Sequence, residues 1–443
     1  MKLKCFSRIH ISALLAIVLG VGSSPAGAAQ STGYRVSGLA ADRPGANHQS
    51  ANLLNPWGVA FVPGGQGFFI SENASGRVDS YDATGNPLGG VVIPAPTGST
   101  APFSMPTGIV ADPESNFGPP RANFQFLVAA DNGTIWGITE ANGVPQTAQL
   151  FVDLFAGRAS YTGIAVLHPD CCAPYVAVAN FAVGTIDTFA GPNTLVSLSR
   201  NQFTDPNLPT GYAPFNIQKI GDQVFVLYAQ QNTAHIPIPD PGAAVVDIFD
   251  TEGNFVKRFL SPGAAVNVLD APWGITQASE NFGPFSTAIL IGNVGDGSIN
   301  AFDPSGNFLG QFTDESGNEL NFVGLHGLAF RADGLGDPNT LYELGGATSG
   351  EAADGTFGAI TTALATTTTL TAPATAIFGA PVTLTASVSS LAGIPAGTVN
   401  FFDSDNLIGH QALNTAGLAS LTMNSLGVGS HSFTAQYTGS FDS

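Results

Sequence analysis

Short apolar runs alternate with polar turns along this chain, and one pattern of them recurs six times. Each copy opens with a turn residue and a variable residue, followed by glycine at the head of an apolar strand. The copies are Pro56-Trp57-Gly58-Val59, Pro106-Thr107-Gly108-Ile109, Tyr161-Thr162-Gly163-Ile164, the degenerate Pro214-Phe215-Asn216-Ile217, Pro272-Trp273-Gly274-Ile275 and Leu325-His326-Gly327-Leu328. They recur roughly every 50 to 60 residues, the size of a four-stranded propeller blade. Behind each start, a second apolar strand, an Asn/Asp/Gly turn and a third strand follow, as in Phe68–Glu72, Asn73–Gly76 and Arg77–Asp82. Asn and Gly suit such turns because they tolerate positive φ and their side chains can mimic a backbone turn. Thr84-Gly85-Asn86, Glu252-Gly253-Asn254 and Ser305-Gly306-Asn307 then mark a hairpin into a fourth strand. The pattern predicts an all-β chain built around a six-bladed β-propeller.

A ring needs its edges closed. The run Tyr34–Leu39 precedes blade one without a partner in it, so it is expected to supply the outer strand of blade six. Beyond Thr366, a new series of alternating strands includes Val382–Val388, Gly397–Asp403, Gly417–Thr422 and His431–Tyr437. Short strands with frequent turn signals predict a β-sandwich. The expected organisation is a leader over 1–28, the propeller over 29–362 and a small sandwich over 363–443.

Composition adds the compartment. Lys2, Lys4 and Arg8 precede a short apolar run, Ile11–Val21, and Ala26 and Ala28 form an A-x-A pattern, so cleavage after Ala28 is expected. The apolar run is shorter than the roughly 20 residues a membrane span needs. The expected location is therefore extracytoplasmic, with no membrane span. The formal net charge is −19, which excludes nucleic acid as a partner and favours cations. Once the leader is removed, Cys171 and Cys172 are the remaining cysteines. They are adjacent, so a vicinal disulfide, a free pair and a soft-metal site all stay open.

The C-terminal run resembles the bacterial Ig-like repeat family, whose G-T-V-x-F-x-D, G-x-A-x-L-T and G-x-H-x-x-x-A-x-Y segments correspond to Gly397–Asp403, Gly417–Thr422 and Gly429–Tyr437. The resemblance implies a further strand after the Tyr437 turn, so the sandwich is expected to lack its last strand. Asn55-Pro56-Trp57-Gly58 and Pro272-Trp273-Gly274 resemble an exported bacterial family with NHL-like blades. That resemblance implies fold and export and no activity. Blade six departs from it, with Glu343-Leu344-Gly345-Gly346 where an Asn/Asp turn is expected.

In a propeller, the turn entering the innermost strand and the turn between strands two and three share one face. Trp57, Thr107, Thr162, Phe215, Trp273 and His326 are thus expected around the channel mouth, with Asn73, Asp131, Asn132, Asn180, Asn293 and Asp296 on the same face. Trp57, Asn73, Asp131, Asn132, Asn180, Trp273, Asn293, Asp296 and His326 form the candidate binding set, suited to an extracellular polysaccharide or protein by stacking and hydrogen bonding. Repeated Asn and Asp also serve simply as turn formers, Trp after Pro can pack between blades, and a lone His can be structural. Acidic turns leave calcium open, although no Asp-x-Asp-x-Asp loop occurs, and no other cofactor is indicated. The sequence carries neither a Gly-x-Ser-x-Gly elbow nor a His-Glu-x-x-His motif, so no catalytic residue is named. A non-catalytic binding role leads, and a metal-assisted hydrolase or lyase with its site at the channel mouth is the alternative.

Overall fold

The computed structural model describes residues 33–438, apart from 115, 118–122, 171, 192–193, 196–201, 332, 334, 347–353, 364–366, 390–396, 405 and 425. The expected leader lies outside the described residues, as do Cys171 and residues 439–443. The chain divides into two compact units, Gly33–Thr362 and a second that contains Ala363–Ser443.

The first unit is a six-bladed propeller. Blades 1 to 5 are antiparallel meanders whose innermost strands are Pro56–Ala60, Pro106–Ala111, Tyr161–Leu167, Tyr212–Ile220 and Pro272–Gln277. Blade 6 combines Leu328–Phe330, Leu341–Gly345 and Thr356–Thr362 with Tyr34–Ala41 as its fourth, outer strand, and the short His48–Gln49 pairs in parallel along the far edge of that strand. The early strand therefore closes the ring as its unpartnered position implied. Tyr34 fastens this clasp to blade 5: its ring stacks on Phe312 at 4.3 Å and its hydroxyl donates to Phe282 O at 3.1 Å.

Each blade has two apolar faces because its strands are buried on both sides. Six apolar clusters result, each shared by neighbouring blades. Phe69 meets Phe126 between blades 1 and 2, and Phe68 meets Tyr342 and Phe357 between blades 1 and 6, so the series has no gap. Burial of this apolar surface, at about 25 cal/mol per Å², is the main favourable term holding the ring together.

The recurrent glycine has a specific cause. The register of the innermost strand shifts at Pro56/Val59, Pro106/Ile109, Tyr161/Gly163, Pro214/Asn216 and Pro272/Gly274. Such bulges re-aim side chains and bring backbones together. A Cβ on Gly58 would sit 2.7 Å from Ile109 N, and one on Gly274 would sit 2.2 Å from His326 O. One on Gly327 would sit 2.8 Å from Trp57 O, closing the ring between blades 6 and 1. Blade 4 has Asn216 instead. Its amide donates to Trp273 O at 2.6 Å and its carbonyl accepts from Ile217 N at 2.8 Å, so a side chain bridges where other blades meet through backbone.

A second repeat, polar and buried except at half-buried Asp187, runs along the third strands. Asp79, Asp187, Asp247 and Asn300 occupy matching positions opposite Ile70, Val178, Val226 and Ile291. Blade 2 places Trp136 there, with its indole N–H satisfied by Thr134 Oγ1 at 2.8 Å. Blade 6 has Gly358, and the carboxyl comes from Glu343 across the strand pair: a Cβ on Gly358 would lie 2.1 Å from Glu343 Oε1.

The C-terminal unit is a sandwich of two three-stranded sheets. One is ordered Thr367–Thr371, Val382–Ser389, Leu418–Met423, and the other Asn406–Ala412, Thr398–Asp403, Phe433–Thr438. Val382, Leu384, Ala386 and Val388 alternate inward against Val399, Phe401 and Ala419, as period-two patterning requires. Among the described residues no helix is long and apolar enough to cross a membrane.

Candidate functional site

The bulged residues of the innermost strands do converge on the axis, but they fill it instead of leaving an open mouth. Trp57 stacks on His326 with centroids 4.0 Å apart, and meets Trp273 and Phe215 edge-on at 5.9 and 6.1 Å. Phe181 packs against Phe215 at 5.0 Å. Trp273 spans from blade 5 to blade 3, where its indole N–H donates to Thr162 O at 3.0 Å. Thr107 is spent as well, its hydroxyl 2.7 Å from Tyr161 O. Of the six expected mouth residues, Thr107, Thr162, Phe215, Trp273 and His326 are buried, and Trp57 alone is half-exposed.

Polarity inside this plug is incompletely matched. His326 Nδ1 lies 2.8 Å from Gly324 O, an acceptor, so Nδ1 carries the proton and Nε2 presents a lone pair. Burial pushes the His326 pKa down to about 4, so the ring is neutral at ordinary pH. Its Nε2, the Trp57 indole N–H and the Thr162 hydroxyl have no protein hydrogen-bond partner. Unpaired buried groups cost roughly 1–3 kcal/mol each, which makes three around one aromatic cluster a chemical feature.

Below the plug, a cavity of about 280 Å³ follows the axis, walled by the innermost strands and bounded by Trp273. Stretches of consecutive residues such as Gly58–Phe61 and Gly327–Phe330 line it, because these strands are the inner edges of their sheets. Their free backbone N–H and C=O groups face the axis.

The turn residues behave differently from one another. Asn73 donates to Pro106 O at 3.2 Å, tying blade 1 to blade 2, and accepts from Asn55. Asn132 donates to Ser104 Oγ at 2.9 Å and accepts from Thr134 Oγ1. Asn180 accepts from Ser160 N and donates to Asp187 at 2.8 Å. Asn293 donates to Val268 O and Ser298 Oγ, leaving its carbonyl unpaired. Their repetition thus has a structural cause. Asp131 and Asp296 differ. Burial pushes Asp131 up to about 6, and exposed Asp296 accepts from Ser298 N while helping to raise the nearby Asp270. Among the described residues, no group of three or more His, Cys, Asp or Glu side chains is placed to share a metal ion. Cys172 is disulfide-bonded.

Two groups escaped the sequence reading. One is the polar seam of the third strands. The other is the acceptor that organises each Gly-Asn hairpin: Asp82, Asp250 and Asp303 each take two backbone N–H groups across the turn, as Asp82 does from Thr84 and Asn86. An Asp four residues ahead of each Asn was the available signal.

Residues 366–442 match the family model of the bacterial Ig-like domain (group 3). Among solved structures, an alpha-L-arabinanase of Penicillium chrysogenum complexed with arabinobiose is 11% identical, with a TM-score of 0.46, covering 73% of this chain and 97% of that one. The GH93 alpha-L-arabinofuranosidase of Fusarium graminearum is 9% identical, with a TM-score of 0.42, over 74% and 97%. Neither likeness brings chemistry to this chain. Two proteins of Acanthamoeba polyphaga mimivirus are similar in sequence. Uncharacterized protein R648 is 30% identical over 310 residues, 67% of this chain and 74% of the relative. Uncharacterized protein L690 is 31% identical over 297 residues, 64% and 75% respectively. The chain belongs to the family that contains these two mimivirus proteins.

Proposed function

We propose that this chain is an exported, extracytoplasmic binding protein, without catalytic activity, that holds a carbohydrate or protein ligand at the Trp57 end of the propeller axis. The observation that carries this reading is Trp57 itself. It is half-buried and backed by a neutral imidazole, and its indole N–H is buried without a protein partner. The exposed part of the aromatic ring suits a ligand that stacks on it. The leader over 1–28 and the acidic surface support export, the NHL-like blades support a scaffold role, and the Ig-like unit supports a spacer role. No specific observation favours the metal-assisted hydrolase.

The test is a glycan and peptide screen with the mature chain, repeated with Trp57→Ala. Loss of at least tenfold in affinity for the selected ligand, with an unchanged circular dichroism spectrum, is expected. A variant that binds normally removes the axis from consideration.

A further inference from the structure

The axial cavity below the plug has a wall without charge. All six blades contribute to its lining, which holds, among the described residues, no ionisable side chain. Its polar groups are of two kinds. The inner strand edges offer backbone N–H and C=O groups that no further strand covers. At the end away from Trp57, Gln218 of blade 4 and Thr276 of blade 5 add an amide and a hydroxyl. Among the described residues, neither side chain is taken by a protein partner. Asn216 differs: its amide is engaged at both ends, by Trp273 O and Ile217 N, so it stiffens the wall.

The apolar groups are fixed in place. Trp273, tied to Thr162 O, bounds the upper end. Phe61 and Phe330 stand at the lower end, held by Phe68 at 6.0 Å and by Phe282 at 4.8 Å. Exposure rises along the same direction. Gly58, Gly108, Gly274 and Gly327 are buried, whereas Phe61, Ala111, Thr276 and Phe330 are half-buried and Gln218 is exposed. The cavity is therefore entered from the face opposite Trp57.

The wall decides what fits. An ion would give up its water for a lining with no counter-charge, and the net charge of −19 repels anions in addition. A wholly apolar molecule would leave the strand-edge groups without partners. Hydroxyls both donate and accept, so a molecule carrying several can serve N–H and C=O alike while its C–H faces meet Ile109, Ile275 and Leu328. At about 280 Å³ the space falls just below the roughly 300–1,000 Å³ of drug-sized sites, which limits the occupant to one small molecule.

We propose that this cavity binds a neutral polyol of monosaccharide size, entering from the face opposite Trp57. The proposal does not rest on the Trp57 site. Isothermal titration of the full mature chain with glucose and with inositol tests it, using gluconate and protonated glucosamine as charged counterparts. At least one neutral polyol should saturate a single site, and both charged counterparts should bind at least tenfold more weakly. Thr276→Trp, which adds bulk at the entrance without removing a hydrogen bond within the protein, should weaken polyol binding at least tenfold. Trp57→Ala should leave it unchanged. If Thr276→Trp alters the circular dichroism spectrum, Gln218→Leu, which deletes the free amide, should weaken binding at least threefold. Absence of saturation by both polyols, charged counterparts that bind equally well, or binding that survives the folded entrance variant would each overturn the proposal. Polyol binding lost in Trp57→Ala and kept in Thr276→Trp would overturn it too, and would leave the Trp57 site standing.

Discussion

Blades 1 and 6 each bury a glutamate, and they treat it in opposite ways. In blade 1, Glu72 receives the Tyr81 hydroxyl at 2.6 Å and the Ser75 hydroxyl at 3.2 Å, and Arg77 lies within electrostatic reach. Tyr81 is itself held by Ser50. In blade 6, Glu343 is equally buried, yet one of its oxygens has no partner, and burial alone pushes its pKa up to about 8. Burial also pushes Glu72 upward, against the pull of its hydrogen bonds. Burial raises both acids, so the difference lies in their partners: the fold gives one buried acid hydroxyl donors and leaves the other with an unpaired oxygen.

The largest test removes the surrounded one. Glu72→Leu removes the carboxyl acceptor of the Tyr81 and Ser75 hydroxyls, leaving Tyr81 with Ser50 alone, and leaves Arg77 with one acid fewer. It should lower unfolding stability by about 3–5 kcal/mol in urea titration, whereas Glu343→Leu should cost far less. A smaller effect comes from exchanging the two arrangements. Gly358→Asp alone should destabilise by about 1–3 kcal/mol, because even its Cβ meets the Glu343 carboxyl. Combined with Glu343→Val, which restores the Val-opposite-Asp pairing of blades 3 and 4, most of that loss should return. Simple additivity of the two changes would break the comparison.

A third effect is read in pH, as a slope and not as a single difference. A carboxyl whose folded pKa is raised from 4.5 to about 8 binds a proton in the folded chain that the unfolded chain has released. Its contribution is fully present below pH 4.5 and is lost as pH climbs to 8, with a slope of about 1.4 kcal/mol per pH unit. Glu343→Gln should flatten that part of the stability profile. An unchanged slope in the variant would assign the pH dependence to another group.

The same contrast shows why the sequence was legible in some places and opaque in others. Repetition exposed the ring, because Gly58, Gly108, Gly163, Gly274 and Gly327 answer one geometric demand, and Tyr34–Leu39 stood out as a strand without a home. Repetition also had an architectural source. Asn73, Asn132 and Asn180 recur where they tie turns and blades together, so their recurrence by itself marks architecture. The plug was half visible: Trp57, Trp273 and His326 were placed at the axis, but linear spacing cannot show that aromatic side chains from several blades would fill one another's space. The polar seam was hidden because its members differ in kind, from Asp79 to Trp136 to Asn300, and in blade 6 the acid changes strand. Asp205 and Arg258 gave no signal at all, because the ion pair they form joins positions 53 residues apart in the chain.

The clasp has a mechanical consequence. Tyr34 lies opposite Thr362, and the pairing runs from there to Ala41 opposite Thr356. Tension applied through the chain on either side would therefore enter both strands at the same end. Antiparallel strands loaded in that way part like a zip, one rung at a time, and do not share the load across all rungs as they would in shear. The stacking of Tyr34 on Phe312 sits at that first rung and acts as the catch. A pulling experiment should find the last blade opening at low force while the other five remain folded.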